Sequence, residues 1–269
     1  MYIHCVNTTN SYTIHGIRKE TMIGDISETI CTIAVEEKRG ILGNSSKLVC
    51  QFLNNSDGRE KSNFELFAEE SQEALNPFCI QLDGHRICKS LLGHDKIYRK
   101  WESLLPVIQS KYSGEWLEEQ LVVMSKRIYD KEGLYHSLCR HFIFSEWLIR
   151  DIFSIDFIEN RGTREQTEYV FDADIVFKQD CFLKKGKFGH LLVIEGISEI
   201  EPGDMRAKEL WANYDIEKGN TMCFEQHIEW EGEDLSRLPE SIRSSYTMRV
   251  QGESVKTIEI ELKFQKTYG

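Results

Sequence analysis

The chain has none of the short strings that mark well-defined chemistry. G-x-S-x-G, Walker A, G-x-G-x-x-G and H-E-x-x-H are all absent. Nucleophile-elbow hydrolases, P-loop and Rossmann nucleotide binders and zincins therefore lack their local signatures here. The first residues, MYIHCVNTTNSYTIHG, lack the basic start and apolar core of a signal peptide. No run approaches the roughly 18 apolar residues of a membrane span. The expectation is an intracellular, cytoplasmic protein with no membrane association. The eight cysteines contain no C-x-x-C pair and are widely scattered, which in a cytosolic chain points to reduced, buried thiols rather than a disulfide framework. Clustered Lys and Arg are also missing. With a formal net charge of -11, direct binding of a nucleic-acid backbone is disfavoured. There is no internal repeat, low-complexity tract or obvious linker.

What is present is an ordinary globular composition of 41% hydrophobic and 29% charged residues over 269 positions, enough to bury a substantial core. YIHCVN and SYTIHGI read as an opening hairpin. Asp25-Ile-Ser-Glu28 has capping-box form with Ile26, Ile30 and Ile33 following at helical spacing, although the β-branched ETICTIAV also fits a strand. KLVCQFL and KSNFELFAE read as strands. FCIQL and HRICK flank Asp83-Gly84, a hairpin signal.

From about 91 the pattern turns helical. Ile97, Trp101, Leu104 and Leu105 share a face, with Pro106 expected to interrupt it. Leu117, Leu121, Met124 and Ile128 make the clearest amphipathic helix. LYHSLCRHFIFSEWLIRDIF is apolar nearly all round and reads as a central core helix. After Thr163 strands return, and Ile258, Ile260, Leu262 and Phe264 alternate with Glu259, Glu261 and Lys263, marking an antiparallel strand with one dry face. Grouped strands and grouped helices imply an α+β fold. The expected parts are a strand-rich N-terminal region (1–90), a central helical layer (91–160) and a C-terminal antiparallel sheet or sandwich (161–269).

Four candidate sites follow. Asp172 and Asp174, two apart on an expected strand, share a face, and with Glu195 on a neighbouring strand they would offer oxygen ligands to a divalent cation. About fifteen residues here, Asn160-Arg161-Gly162-Thr163 leading to D-x-D, resemble a nucleotidyltransferase palm. The Gly-Ser pair of such enzymes is missing, and the gap to D-x-D is long. A restriction-type nuclease would need E-x-K, but Glu195 is followed by Gly196 and Ile197. The plainer reading makes these carboxylates the wet face of a sheet.

Cys79 and Cys88 would lie opposite each other if Asp83-Gly84 is a two-residue turn, giving a thiol contact or, with His85 or His94, a metal site of irregular spacing. On the apolar helix, His136 and Cys139 share a face, but a catalytic pair would need a third orienting group. Finally, Glu225, Glu229, Glu231, Glu233 and Asp234 cluster around Trp230, and 163–269 holds 21 acidic and 14 basic residues. An acidic stripe carrying an aromatic suits a basic protein surface.

The expectation is therefore a protein-binding chain without its own catalysis or cofactor. Inhibitors, adaptors, immunity proteins and counter-defence proteins have this profile, and homo-oligomerisation is open. The alternative is a metal-dependent enzyme acting on nucleotides or nucleic acid through Asp172, Asp174 and Glu195.

Overall fold

The computed structural model describes residues 9–39, 46–53, 61–83, 87–149, 152–233 and 238–267. In chain order the strands are β1 (Thr9–Met22), β2 (Asp25–Arg39), β3 (Ser46–Leu53), β4 (Phe78–Leu82) and β5 (Cys88–Leu92), then β6 (Arg161–Val170), β7 (Ala173–Lys185), β8 (His190–Ile200), β9 (Met222–Gly232), β10 (Ser241–Val250) and β11 (Glu253–Lys266). All belong to one antiparallel sheet in the order β5-β4-β3-β2-β1-β11-β10-β9-β8-β7-β6. This overturns the expected α+β arrangement with a separate C-terminal sheet. At 49% strand and 31% helix the chain is strand-dominated, and its first and last strands are neighbours. Alternation shows which face of a strand is dry; it does not show which strand lies beside it.

The chain divides into two compact units. One holds Met1–Ile14, Cys31–Phe144 and Gln265–Gly269; the other holds His15–Ile30 and Ser145–Phe264. Their boundaries fall inside β1, β2 and β11 and at residue 144/145.

The first unit carries the helices α1 (Asn63–Glu73), α2 (His94–Lys111), α3 (Glu115–Tyr129), α4 (Lys131–Arg140) and the short α5 (Phe142–Phe144). KSNFELFAE is helix α1, not a strand. Ser62 and Glu65 form a reciprocal capping box that satisfies two N-terminal amides. The opposite correction applies at Asp25–Glu28, where the capping-box pattern lies inside β2 and the β-branched residues decide. Pro106 does not end its helix; α2 runs through it to Lys111 and buries Ile108. The amphipathic reading of α3 holds, with Leu117, Leu121 and Ile128 buried.

The expected core helix is broken at His141, whose backbone is extended and caps α4. Its apolar residues are nonetheless buried, among them Leu134, Leu138, Phe142 and Phe144. Phe144 packs against Phe78 and Phe52, with ring centroids 5.7 and 6.5 Å apart. Buried Asn76 acts as a substitute strand edge: its amide accepts from Phe52 N at 2.9 Å and donates to Phe52 O at 3.0 Å.

In the second unit, Ile258, Ile260, Leu262 and Phe264 are all buried, as the alternation in β11 requires. The same parity buries Ile242, Tyr246 and Met248 on β10, Phe224, Ile228 and Trp230 on β9, and Ile175 and Phe177 on β7. Onto this inner face packs a π-helical turn at Ser145–Ile149, through Glu146 to Ser244 and Tyr246 of β10, and helix α6 (Met205–Asn213) buries Ala207, Leu210 and Trp211. The β10/β11 turn is Gln251-Gly252, both with positive φ (53° and 84°), the geometry of a two-residue hairpin. Among the described residues no helix is long and apolar enough to cross a membrane.

Candidate binding face

The outer face of the second unit's sheet is built from the positions that alternate with its core. Strand registry aligns them in rows. One row reads Asp180 (β7), Glu195 (β8), His227 (β9), Ser245 (β10) and Glu259 (β11). The next reads Phe182, Val193, Glu229, Arg243 and Glu261. In the second row the charges alternate: Arg243 lies 3.5 Å from Glu229 and 3.7 Å from Glu261. Lys263 adds a 3.2 Å contact to Glu261, and Arg249 sits 3.1 Å from Glu225.

The first row differs. Asp180 faces Glu195 directly across the β7/β8 ladder, and Asp180, Glu195 and Glu259 have no cation partner among the described residues. Like charges directly opposed on a sheet are destabilising. The negative field also acts on Cys223: burial first, then Glu199, Glu201 and Glu225, raise its thiol above the ordinary range.

Both rows border a hollow of about 450 Å³. Glu229, Glu259 and Glu261 line it, with His227, Arg243 and Lys19. His227 Nε2 is 3.7 Å from Glu229 Oε1.

The residues singled out from sequence are distributed differently from expectation. Glu225, Glu229 and Glu231 do share the outer face, but Trp230 points to the core and is 4% exposed. Alternation puts the aromatic on the side opposite its acidic neighbours. Glu231 Oε1 accepts the backbone N–H of Lys187 at 2.6 Å, so it also holds the β7/β8 loop. Glu233 lies beyond the strand and is exposed; Asp234 falls outside the described residues.

Asp172, Asp174 and Glu195 do not converge. Phe171 and Asp172 form the two-residue β6/β7 turn, with φ of 55° and 58°, so Asp172 is not on a strand face with Asp174. A bulky residue at positive φ is strained, and here burial of Phe171 against Phe224, 5.6 Å away, holds it in place. Glu195 pairs with Asp180, six residues along β7 from Asp174, a separation of roughly 20 Å. Among the described residues no three His, Cys, Asp or Glu side chains gather to hold a metal ion.

Cys79 is paired with Leu92, and Cys88 with Leu82. The connection between β4 and β5 is five residues long, not two, which displaces the expected register. His85 lies outside the described residues. Cys88 instead meets Cys139.

One cluster escaped the sequence reading. On the inner face, Glu146 Oε1 accepts from Tyr246 Oη at 2.6 Å, and its other oxygen accepts from Ser244 Oγ. Tyr246 Oη also lies 3.0 Å from Glu168 Oε2. Glu168 Oε1 accepts from Gln179 Nε2 at 3.1 Å, the same nitrogen lies 2.7 Å from Gln226 Oε1, and Arg164 Nε donates to Gln179 Oε1 at 2.7 Å. Gly196 makes room, since a Cβ there would stand 2.6 Å from Gln226 Oε1. Glu146, Gln179, Gln226, Ser244 and Tyr246 are all buried. Buried polar groups need such partners, and this network ties the turn at Ser145–Ile149 to the sheet. The signal was present: Gln179, Gln226 and Ser244 occupy core parity on their strands, and Glu146 interrupts an apolar run.

No protein-family model matches the chain, and no curated protein matches it. A solved structure described as "Lipid-protein interactions in lipovitellin" is 9% identical with a TM-score of 0.40, over 97% of this chain and 25% of that one. The chain thus spans about a quarter of that protein's length. Likeness at this level carries no argument about function.

Proposed function

We propose that the chain is a protein-binding protein without its own catalysis, of the inhibitor or adaptor kind, and that the outer face of its second unit engages a basic protein surface. The observation that carries this reading is the row Asp180–Glu195–His227–Ser245–Glu259. Its opposed carboxylates weaken the free sheet, and cationic side chains from a partner would offset that cost. The neighbouring hollow offers a recess for Lys or Arg, with Glu229 and Glu261 already spaced around the Arg243 guanidinium.

The test is a titration of a fluorescent lysine- and arginine-rich peptide against the wild type and a Glu195→Lys/Glu259→Lys variant. Each reversal turns an attraction of up to about 1 kcal/mol into a comparable repulsion. The pair should weaken binding by roughly tenfold or more at low salt. Equal affinities would remove this face from the function.

A further inference from the structure

We propose that Cys139 and Cys88 form a dithiol that reacts with low-molecular-weight disulfides, Cys139 attacking first and Cys88 closing an intramolecular disulfide. The pair lies within the first unit. Cys88 opens β5, and Cys139 sits in the last turn of α4. Their Sγ atoms are 3.5 Å apart, close enough for an S–H···S hydrogen bond. Tyr135, one helical turn before Cys139, donates its hydroxyl to the Cys88 carbonyl at 3.0 Å and pins strand to helix. The two sulfurs are therefore held together by backbone elements rather than by chance rotamers.

Their environments are unequal. Cys88 is 8% exposed, whereas Cys139 is half-buried and open to a small reagent. Reactivity follows thiolate character together with access. Cys139 is drawn below the ordinary thiol range by its hydrogen bond with Cys88, against the opposing effect of burial. Burial raises the thiols of Cys50, Cys79 and Cys181, and pushes Cys31 up to about 12. Cys88 is also raised, with Cys139 the leading cause, which suits a proton donor that becomes the second nucleophile. The C-terminal end of α4 disfavours a thiolate, but a direct contact at 3.5 Å outweighs a screened half-charge.

With oxidised glutathione as the oxidant the step balances. The Cys139 thiolate attacks one glutathione sulfur, forming a mixed disulfide and releasing a glutathione thiolate. Cys88 then loses its proton and attacks Cys139 Sγ, forming the Cys88–Cys139 bond and expelling the second glutathione thiolate. Two protein thiols are oxidised and one glutathione disulfide is reduced to two thiols.

The experiment incubates the full reduced chain with oxidised glutathione and maps its cysteines by mass spectrometry without reduction. The expected result is a Cys88–Cys139 cross-link formed at least about tenfold faster than any other cysteine is modified. The variant C88S should trap glutathione on Cys139, and C139S should lose the fast phase. If wild-type Cys139 stays reduced while Cys31, Cys79 or Cys223 carries the adducts, the proposal is overturned. It is equally overturned if Cys139 is modified but no cross-link to Cys88 follows. The wild-type map decides the question even where a variant fails to fold.

Discussion

Replacing Tyr246 with phenylalanine tests the inner-face network without changing side-chain volume much. Tyr246 is 1% exposed, and its hydroxyl lies 2.6 Å from Glu146 and 3.0 Å from Glu168. It has one proton, so it can donate to only one of the two carboxylates at a time. The loss is therefore one charge-assisted hydrogen bond, worth about 1.5–3 kcal/mol, and not two. Ser244 still donates to Glu146, and Gln179 to Glu168, which keeps the cost near about 2 kcal/mol rather than the larger penalty of an unaccompanied buried carboxylate.

Urea unfolding followed by tryptophan fluorescence should show a lower midpoint with an unchanged slope. A double-mutant cycle with Glu146→Gln should then return a coupling of about 1 kcal/mol or more. A loss for Tyr246→Phe under about 0.5 kcal/mol, or additive effects in the cycle, would refute the idea that this hydroxyl bridges two elements.

Two further outcomes follow from single residues. Asn76→Ala removes both hydrogen bonds to the Phe52 backbone and strands a buried donor and acceptor, so it should destabilise the chain by about 2–4 kcal/mol in the same unfolding assay. Asp204→Asn should alter acid stability. Side-chain and backbone hydrogen bonds from Arg206 hold the Asp204 carboxyl down at about 2, below the ordinary value of about 3.9. A depressed folded pKa contributes stability above the unfolded value that is lost as pH falls toward the folded one. The wild type should therefore lead the variant by less than about 1 kcal/mol at neutral pH, because the pair is near the surface. That lead should shrink between about pH 4 and 2. Asparagine also caps helices well, so α6 itself should persist, and a constant difference across this range would count against the assignment.

The periodic elements were legible in the sequence, and the neighbour relations were not. β11 declared its dry face through Ile258, Ile260, Leu262 and Phe264, and α3 did so through Leu117, Leu121 and Ile128. The capping-box pattern at Asp25–Glu28 is not one, because the β-branched run pairs into the sheet, whereas Ser62–Glu65 is one. The positive-φ turn at Phe171-Asp172 carries no glycine, so D-x-D looked like a continuous strand. Cys79 and Cys88 missed each other because the loop between their strands is longer than its Asp-Gly pair suggested. The acidic residues of β9 were visible as a group, yet the unneutralised row depends on which residues of β7, β8 and β11 lie beside them. Registry across five strands is a tertiary fact that no local window contains.

The most direct test of the acidic face is its salt dependence. Binding of a lysine- and arginine-rich peptide to the wild type should weaken steeply as salt rises from about 0.01 to 0.5 M, since exposed charges are screened within about 10 Å at 0.1 M. The Glu195→Lys/Glu259→Lys variant should bind weakly throughout, with a much flatter salt response. Wild type and variant showing the same affinity and the same salt slope would contradict the account.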